Sequence, residues 1–238
     1  YRSGAGIYVY AGRDVVIKNI SVSNFGIGIY FSSCDGGKII QNTLENTNDG
    51  IRVGYSKNMV VSKNIINANG YGVNQHESSN SVYEENIVLN SAFMGISIRT
   101  ESSNINNILR NNSVKNGLEY GIRIAGTNYN TLSGNIMLGN KKGNFSVNSS
   151  DMSTNNIGTS NTVEGRPIYY IKNATNKTYD GSLGAGSFYC INCENIKVQK
   201  MILPKNGSTI GFWHTDNSSI ERITSEDKSN IITLDYSS

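Results

Sequence analysis

Short alternating runs recur along this chain, each opened by a glycine and carrying apolar residues two apart. Ile7/Val9, Ile29/Phe31, Ile51/Val53, Ile96/Ile98 and Ile122/Ile124 fall on one side of such a strand, and the residues between them on the other. The glycines are Gly6, Gly28, Gly50, Gly72, Gly95 and Gly121, spaced 22, 22, 22, 23 and 26 residues apart. A period in this range predicts a repeat architecture, in which each unit buries a thin slice of core against its neighbours. Gly50 to Asn69, GIRVGYSKNMVVSKNIINAN, is the clearest unit. Two or three short strands per unit, with no helical period, predict a parallel β-helix. The Leu-x-x-Leu-x-Leu pattern of leucine-rich repeats is missing.

The second half of each unit adds a strand and an asparagine. Aligning KN-I-S, QN-T-L, KN-I-I, EN-I-V, NN-S-V and GN-I-M places Asn19, Asn42, Asn64, Asn86, Asn112 and Asn135 in one column. Val16, Ile39, Val61, Tyr83, Leu109 and Leu132 precede them by three, and a second column holds Asn24, Asn46, Asn69, Asn90, Asn116 and Asn140. With units stacked ~4.8 Å apart, each amide can donate to one neighbour and accept from the other, which is a structural role.

Regularity holds over residues 1–148. Residues 149–164 are almost wholly polar and read as a loop or loose rung. GRPIYYIKNATNKTYDG, residues 165–181, reads as a hairpin projecting from the coil, within an irregular insertion spanning 149–186. Over 187–238 the pattern resumes with Phe188/Cys190, Ile196/Val198, Phe212, Ile220/Ile223 and Ile231, as part of one continuous solenoid of about nine or ten rungs. No amphipathic helix precedes the first strand to cover the open end, so end-to-end contacts with the rest of a larger chain or with other protomers are expected.

Composition agrees with this picture. The chain has 35 asparagines, 30 serines and 25 glycines among 238 residues, a mixture suited to many tight turns. A net charge of +3, with no basic run, argues against nucleic acid as a partner. No stretch approaches the roughly 18 apolar residues of a membrane span. Cys34, Cys190 and Cys193 are too few for a disulfide scaffold.

The GIxVxxSxxNxIxxNxI pattern resembles the right-handed β-helices of the carbohydrate-binding and sugar-hydrolase repeat class. GRPIYY followed by SFYCINCENIKVQKMIL is similar to archaeal members of the NosD-like group. The resemblance implies a single-stranded right-handed parallel β-helix. It does not single out a function, because the class includes lyases, hydrolases, epimerases, adhesive surface proteins and an accessory factor for copper-enzyme maturation.

The outward positions of the first strand form two lines. One runs Tyr8, Tyr30, Arg52, Asn74, Ser97 and Arg123, continued after the hairpin by Tyr189 and Trp213. The other runs Tyr10, Ser32, Gly54, His76, Arg99 and Ala125. Tyrosine rings can pack on sugar rings, and arginine can hold a carboxylate through two parallel hydrogen bonds. The face therefore reads as a binding surface for acidic polysaccharide, with Tyr8, Tyr30, Arg52, Arg99, Arg123 and Trp213 as the contacts. A lyase on the same face would use Arg52, Asn74 and Arg99 to neutralise the uronate carboxylate, and His76, Tyr71 or Tyr120 as base. A hydrolase would need two carboxylates ~5–10 Å apart, for which Asp49 with Glu77 and Glu84 with Glu85 are the available pairs. Cys190, Cys193 and His214 are the only candidate ligands for copper(I) or zinc, and no cofactor is assigned. The sequence thus predicts a secreted or cell-surface module that binds acidic polysaccharide. A lyase or hydrolase, a structural assembly unit and a copper-handling accessory protein are the alternatives.

Overall fold

The computed structural model describes residues 4–100, 105–206, 209–225 and 232–238. It is a parallel β-solenoid of about ten turns. One side is built by β1 (Ala5–Tyr10), β2 (Ile27–Ser32), β3 (Thr43–Gly54), β4 (Ile65–His76), β5 (Ile96–Arg99), β6 (Tyr120–Ala125) and β7 (Gly143–Asn148). Each pairs in parallel with the next, and the predicted units are in register: Ile7, Ile29, Ile51, Val73, Ile96, Ile122 and Phe145 occupy one column. A second side is a seven-stranded sheet. Its central column is Ile17, Ile39, Val61, Tyr83, Leu109, Leu132 and Ile157.

The glycine column exists because there is no room for a side chain. None of Gly6, Gly28, Gly50, Gly72, Gly95 or Gly121 has a positive φ. A Cβ on Gly50 would instead run into Ile66 Cγ2 and lie 2.7 Å from the Gly72 carbonyl oxygen, and Gly28, Gly72 and Gly95 meet Leu44, Val88 and Val114 in the same way. Gly50→Ala is therefore expected to cost about 1–3 kcal/mol by overpacking. Its urea midpoint should fall; a midpoint at or above the parent's would contradict the steric account.

The asparagine ladder runs through Asn42, Asn64, Asn86, Asn112, Asn135 and Asn161, each Nδ2 donating to the next Oδ1 over 2.7–3.0 Å. The same Nδ2 atoms also donate to backbone carbonyls, and each Oδ1 also accepts a backbone N–H. Buried amides with all these partners stabilise the stack and fix its register. The first unit is displaced by one residue from the sequence alignment. Ile20, not Asn19, sits at the ladder position, donating its N–H to Asn42 Oδ1, while Asn19 is exposed in a left-handed turn. Ile17 likewise replaces Val16 in the core column.

The second asparagine column is also a correction. Asn24, Asn46, Asn90 and Asn116 have φ between 52° and 67°, with Gly139 at 66° in the next rung. They are there because asparagine tolerates the left-handed turn, not to form an amide ladder. Asn69 is exposed within β4, and Asn140 bonds to the Gly117 N–H and to Asn144.

The expected hairpin resolves differently. Residues 149–164 form a loose last turn holding a short 3-10 helix, Met152–Thr154, and β8 (Thr162–Val163). The chain then reverses at Glu164 and Gly165, whose φ values are 49° and 76°. Here β9 (Arg166–Lys172) pairs antiparallel with β8. The next strand, β10 (Thr175–Asp180), is not the return arm of a hairpin. β9 pairs in parallel with β11 (Ser187–Ile191), and β10 with Glu194–Gln199, so β9 and β10 are successive sides of one turn. The coil continues through β13 (Ile210–Trp213) and β14 (Ile232–Asp235), with Glu194–Gln199 as β12. Ile231, expected in the last rung, lies outside the described residues.

After the reversal the strand faces divide their work. Phe188, Cys190, Ile196, Val198, Ile210 and Phe212 form a second core. Ile168, Tyr170, Tyr189 and Ile191, on the opposite face of the same strands, belong to the first core together with Phe145, Met152 and Val163. The Tyr170 hydroxyl donates to the Met152 carbonyl over 2.7 Å, and the Tyr189 ring meets Phe145 edge-on at 6.1 Å. The second coil thereby covers the end of the first. The continuous solenoid read from sequence is replaced by two coils running in opposite strand directions, joined by one sharp turn.

Candidate functional site

The register places both outward lines as expected over the first coil. Tyr8, Tyr30, Arg52, Asn74, Ser97, Arg123 and Ser146 are successive neighbours, as are Tyr10, Ser32, Gly54, His76, Arg99, Ala125 and Asn148. Tyr8 stacks on Tyr30 with ring centroids 5.1 Å apart, and the Arg52 guanidinium lies over the Tyr30 ring at 5.7 Å.

Asp49 organises the centre of this face. It is 4% exposed, and its Oδ2 accepts from Arg52 Nε at 2.9 Å, Arg52 Nη2 at 2.6 Å and Asn74 Nδ2 at 3.0 Å. Arg52 and Asn74 are thus held rigidly on adjacent rungs. Asn74 is 6% exposed and its Oδ1 has no hydrogen-bond partner; farther along the same line, Arg123 Nε is buried without one. From sequence Asp49 stands out only as half of an acid pair. In a straight strand residues three apart face opposite sides, which hides its contact with Arg52. β3 has a register irregularity between Glu45 and Asp49, immediately before the acid, and pairs regularly with β4 from Asp49 to Gly54.

His76 lies over the backbone of Gly54, with the Tyr55 ring edge-on to it at 5.2 Å. Its pKa is lowered, first by burial and then by Arg52 and Arg99, against weaker opposition from Glu77 and Asp49. The imidazole is therefore neutral at neutral pH, with Arg99 one rung away. Of the tyrosines considered as bases, Tyr71 packs on Phe93, and Tyr120 lies beneath Arg123 and Lys142; it is Tyr55 that touches His76. The proposed acid pairs are dispersed among other partners. Glu77 accepts from Thr100, Glu84 from Arg110, and Glu85 pairs with Lys63.

Tyr189 and Trp213 do not continue the first line. Both are on the second coil, Tyr189 buried against Phe145 and Trp213 half-buried beside Asp235. Nor do the proposed metal ligands converge. Cys190 and Cys193 form a disulfide, and His214 is exposed, stacked on Tyr236 with centroids 5.0 Å apart. The strand ends at Trp213 and His214 takes a left-handed turn conformation, φ 45°, which carries the imidazole away from the core that holds Cys190, whose rung partner is Phe212.

Residues 1–166 match the NosD family, described as periplasmic copper-binding protein. No curated protein matches the chain significantly. Among solved structures, the periplasmic alginate epimerase AlgG is similar with a TM-score of 0.55 and 20% identity, over 93% of this chain and 47% of that one. The A-module of the mannuronan C-5 epimerase AlgE6 from Azotobacter vinelandii has a TM-score of 0.53 and 15% identity, over 97% and 82% of the two chains. A hyperthermoactive exopolygalacturonase from Thermotoga maritima has a TM-score of 0.52 and 15% identity, over 90% and 52%. These likenesses are of fold, and the chain spans about half the length of AlgG.

The family description raises copper, and the residues here do not fit it. Among the described residues no three His, Cys, Asp or Glu side chains converge. Two of the three cysteines are disulfide-bonded, and the third, Cys34, is buried with its thiol against the Val9 and Ser32 carbonyls. Met59, Met94, Met137, Met152 and Met201 are all buried. A copper site needs several soft donors facing one point, which this arrangement lacks.

Proposed function

This chain belongs to the NosD family, and from that premise we propose that it is an extracytoplasmic β-helix module that binds acidic polysaccharide along the outward face of β1 to β7. The observation that carries the reading is the pair of orphaned polar atoms, Asn74 Oδ1 and Arg123 Nε, on a line that also presents Arg52 and the stacked tyrosines. A buried donor or acceptor without a partner costs stability, and a bound ligand that supplies the partner recovers it. Rungs ~4.8 Å apart are spaced about as far as successive pyranose rings, so one sugar per rung can meet the guanidinium groups in turn. The solved relatives named for alginate and polygalacturonate support a uronate as the repeating unit. The Cys190–Cys193 disulfide and the family's periplasmic description support placement outside the cytoplasm.

Calorimetric titration tests the proposal. Saturable, salt-sensitive binding to a polyuronate is expected, with little binding to a neutral glucan of equal length. Equal affinity for both polymers, or none for any of a panel of polyuronates, overturns it.

The environment of His76 favours a second reading on the same face, proton abstraction beside the uronate carboxylate. In such a step imidazole takes the C5 proton, and the electron pair either forms the C4–C5 double bond as the 4-oxygen departs with a proton, or accepts a proton from the other side of the ring. Arg99 and Arg52 would hold the carboxylate as its charge develops. Protonated His76 cannot act as base, so kcat/KM should fall on the acid side with an apparent pKa below the usual 6.5 of histidine. Arg99→Ala removes one of the charges that lower this pKa and should move the limb toward higher pH. A limb that stays put, or no unsaturated or epimerised product from any polyuronate, excludes this reading without touching the binding one.

A further inference from the structure

Between the two coils lies a cavity of about 420 Å³, within the roughly 300–1,000 Å³ typical of small-ligand sites. The first coil contributes Tyr120, Lys142 and all of β7 except Asn144; the second contributes Tyr189, Gly211, Trp213 and Asp235. Two facts of the fold open it. Among the described residues β7 is strand-paired with β6 alone, and on its other edge the Asn144 N–H donates to the Asn206 carbonyl while no strand pairs with the rest. Gly211 follows Tyr189 in the facing column and carries no side chain, and the Tyr189 ring packs over it, its Cδ1 2.8 Å from where a Cβ would be.

The cavity is also where the outward lines end. Ser146 and Asn148, its residues on β7, are the rung neighbours of Arg123 and Ala125. The polysaccharide track therefore runs into a space whose far wall is the second coil. We infer that this cavity is a terminal subsite, which receives the last sugar of a uronate chain and fixes how far the chain can slide along the face. The inference rests on the polysaccharide reading above and deepens it.

The lining has the chemistry such a subsite needs. Trp213 offers a flat ring for a pyranose, and the Asp235 carboxylate and the free edge of β7 can bond to hydroxyls. Lys142 has its ammonium 5.3 Å from the Tyr120 ring centroid and 3.5 Å from Glu119, close enough to meet a uronate carboxylate. The stacked coils give no continuation of the sheet face beyond Asn148, so only a chain end fits. From Asn148 back to His76 the second line counts Ala125 and Arg99 between, three rung steps, or about 14 Å at ~4.8 Å per rung. A bound chain end thus spans about four sugars from the subsite to His76, both ends included.

Calorimetry with size-defined uronate oligosaccharides tests this on the whole chain. One protein per oligosaccharide is expected whatever its length, with affinity rising to about four units and then levelling. Trp213→Ala is expected to weaken binding about tenfold, and Lys142→Ala, at a side chain more than half exposed, to do so without unfolding the protein. Reducing the sugar at one end, or marking the other with an unsaturated unit, identifies the end held; a loss from either modification supports the subsite. Stoichiometry that grows with chain length, or Lys142→Ala and both end modifications without effect, overturns the subsite while leaving polysaccharide binding in place. Absence of binding by any oligosaccharide or polymer overturns both.

Discussion

Asn86→Ala is expected to destabilise the protein by about 3–5 kcal/mol, because it strands buried groups on two rungs at once. Asn86 Oδ1 accepts both the backbone N–H and the side-chain Nδ2 of Asn64, at 3.1 and 2.9 Å, and its own Nδ2 donates to Val61 O and Asn112 Oδ1. Alanine leaves two donors of Asn64 unpaired in a site that is fully buried. No rearrangement within one rung restores them, since the partners are separated by 22 and 26 residues. Asn90→Gly is the control. Asn90 is exposed with φ of 57°, so glycine fits its backbone, and stability should change by less than about 1 kcal/mol. Denaturant unfolding of the two variants separates a hydrogen-bonding column from a conformational one. Equal losses would refute that distinction.

The second large effect is on binding. The double replacement Arg52→Ala/Arg99→Ala should weaken polyuronate affinity about a hundredfold or more, which is ~2.7 kcal/mol or more from two charge-assisted contacts. The two arginines differ in their part. Arg52 is clamped to Asp49 and presents a guanidinium already fixed in place, so little side-chain entropy is lost when a carboxylate arrives. Arg99 is exposed and forfeits more of its freedom on binding. Arg52→Ala should therefore carry the greater share of the affinity loss. It also leaves the buried Asp49 carboxylate with Asn74 alone, so thermal unfolding must be measured beside binding. Unchanged affinity in a folded double variant would remove the Tyr/Arg face from consideration.

These two experiments probe different layers of what a repeat sequence encodes. The ladder asparagines and the glycine column repeat because every rung meets the same neighbours, and repetition made them legible. Arg52, His76 and Arg99 do not repeat, yet the spacing of the repeat was enough to align them on their lines. Where the first unit lacks the ladder asparagine, the nearest matching letter is Asn19, one residue out of register. Hydrogen bonding from the Ile20 N–H to Asn42 sets the true register there.

By itself, then, the sequence determined the β-helix, its core columns, the ladder from Asn42 to Asn135 and the order of side chains along the outward face. All of these follow from local alternation repeated at nearly constant spacing. The tertiary structure alone decided the rest. Asp49 bonds to Arg52 three residues on, the chain reverses at Glu164 and Gly165 without disturbing the alternation on either side, and Trp213 lines one cavity with Tyr120 and Lys142 from the other coil. Alternation records which face of a strand a residue occupies, but carries no information on strand direction or on which other coil that face will meet. The cavity between the coils, made of contacts between distant stretches of chain, could be found only once both were folded.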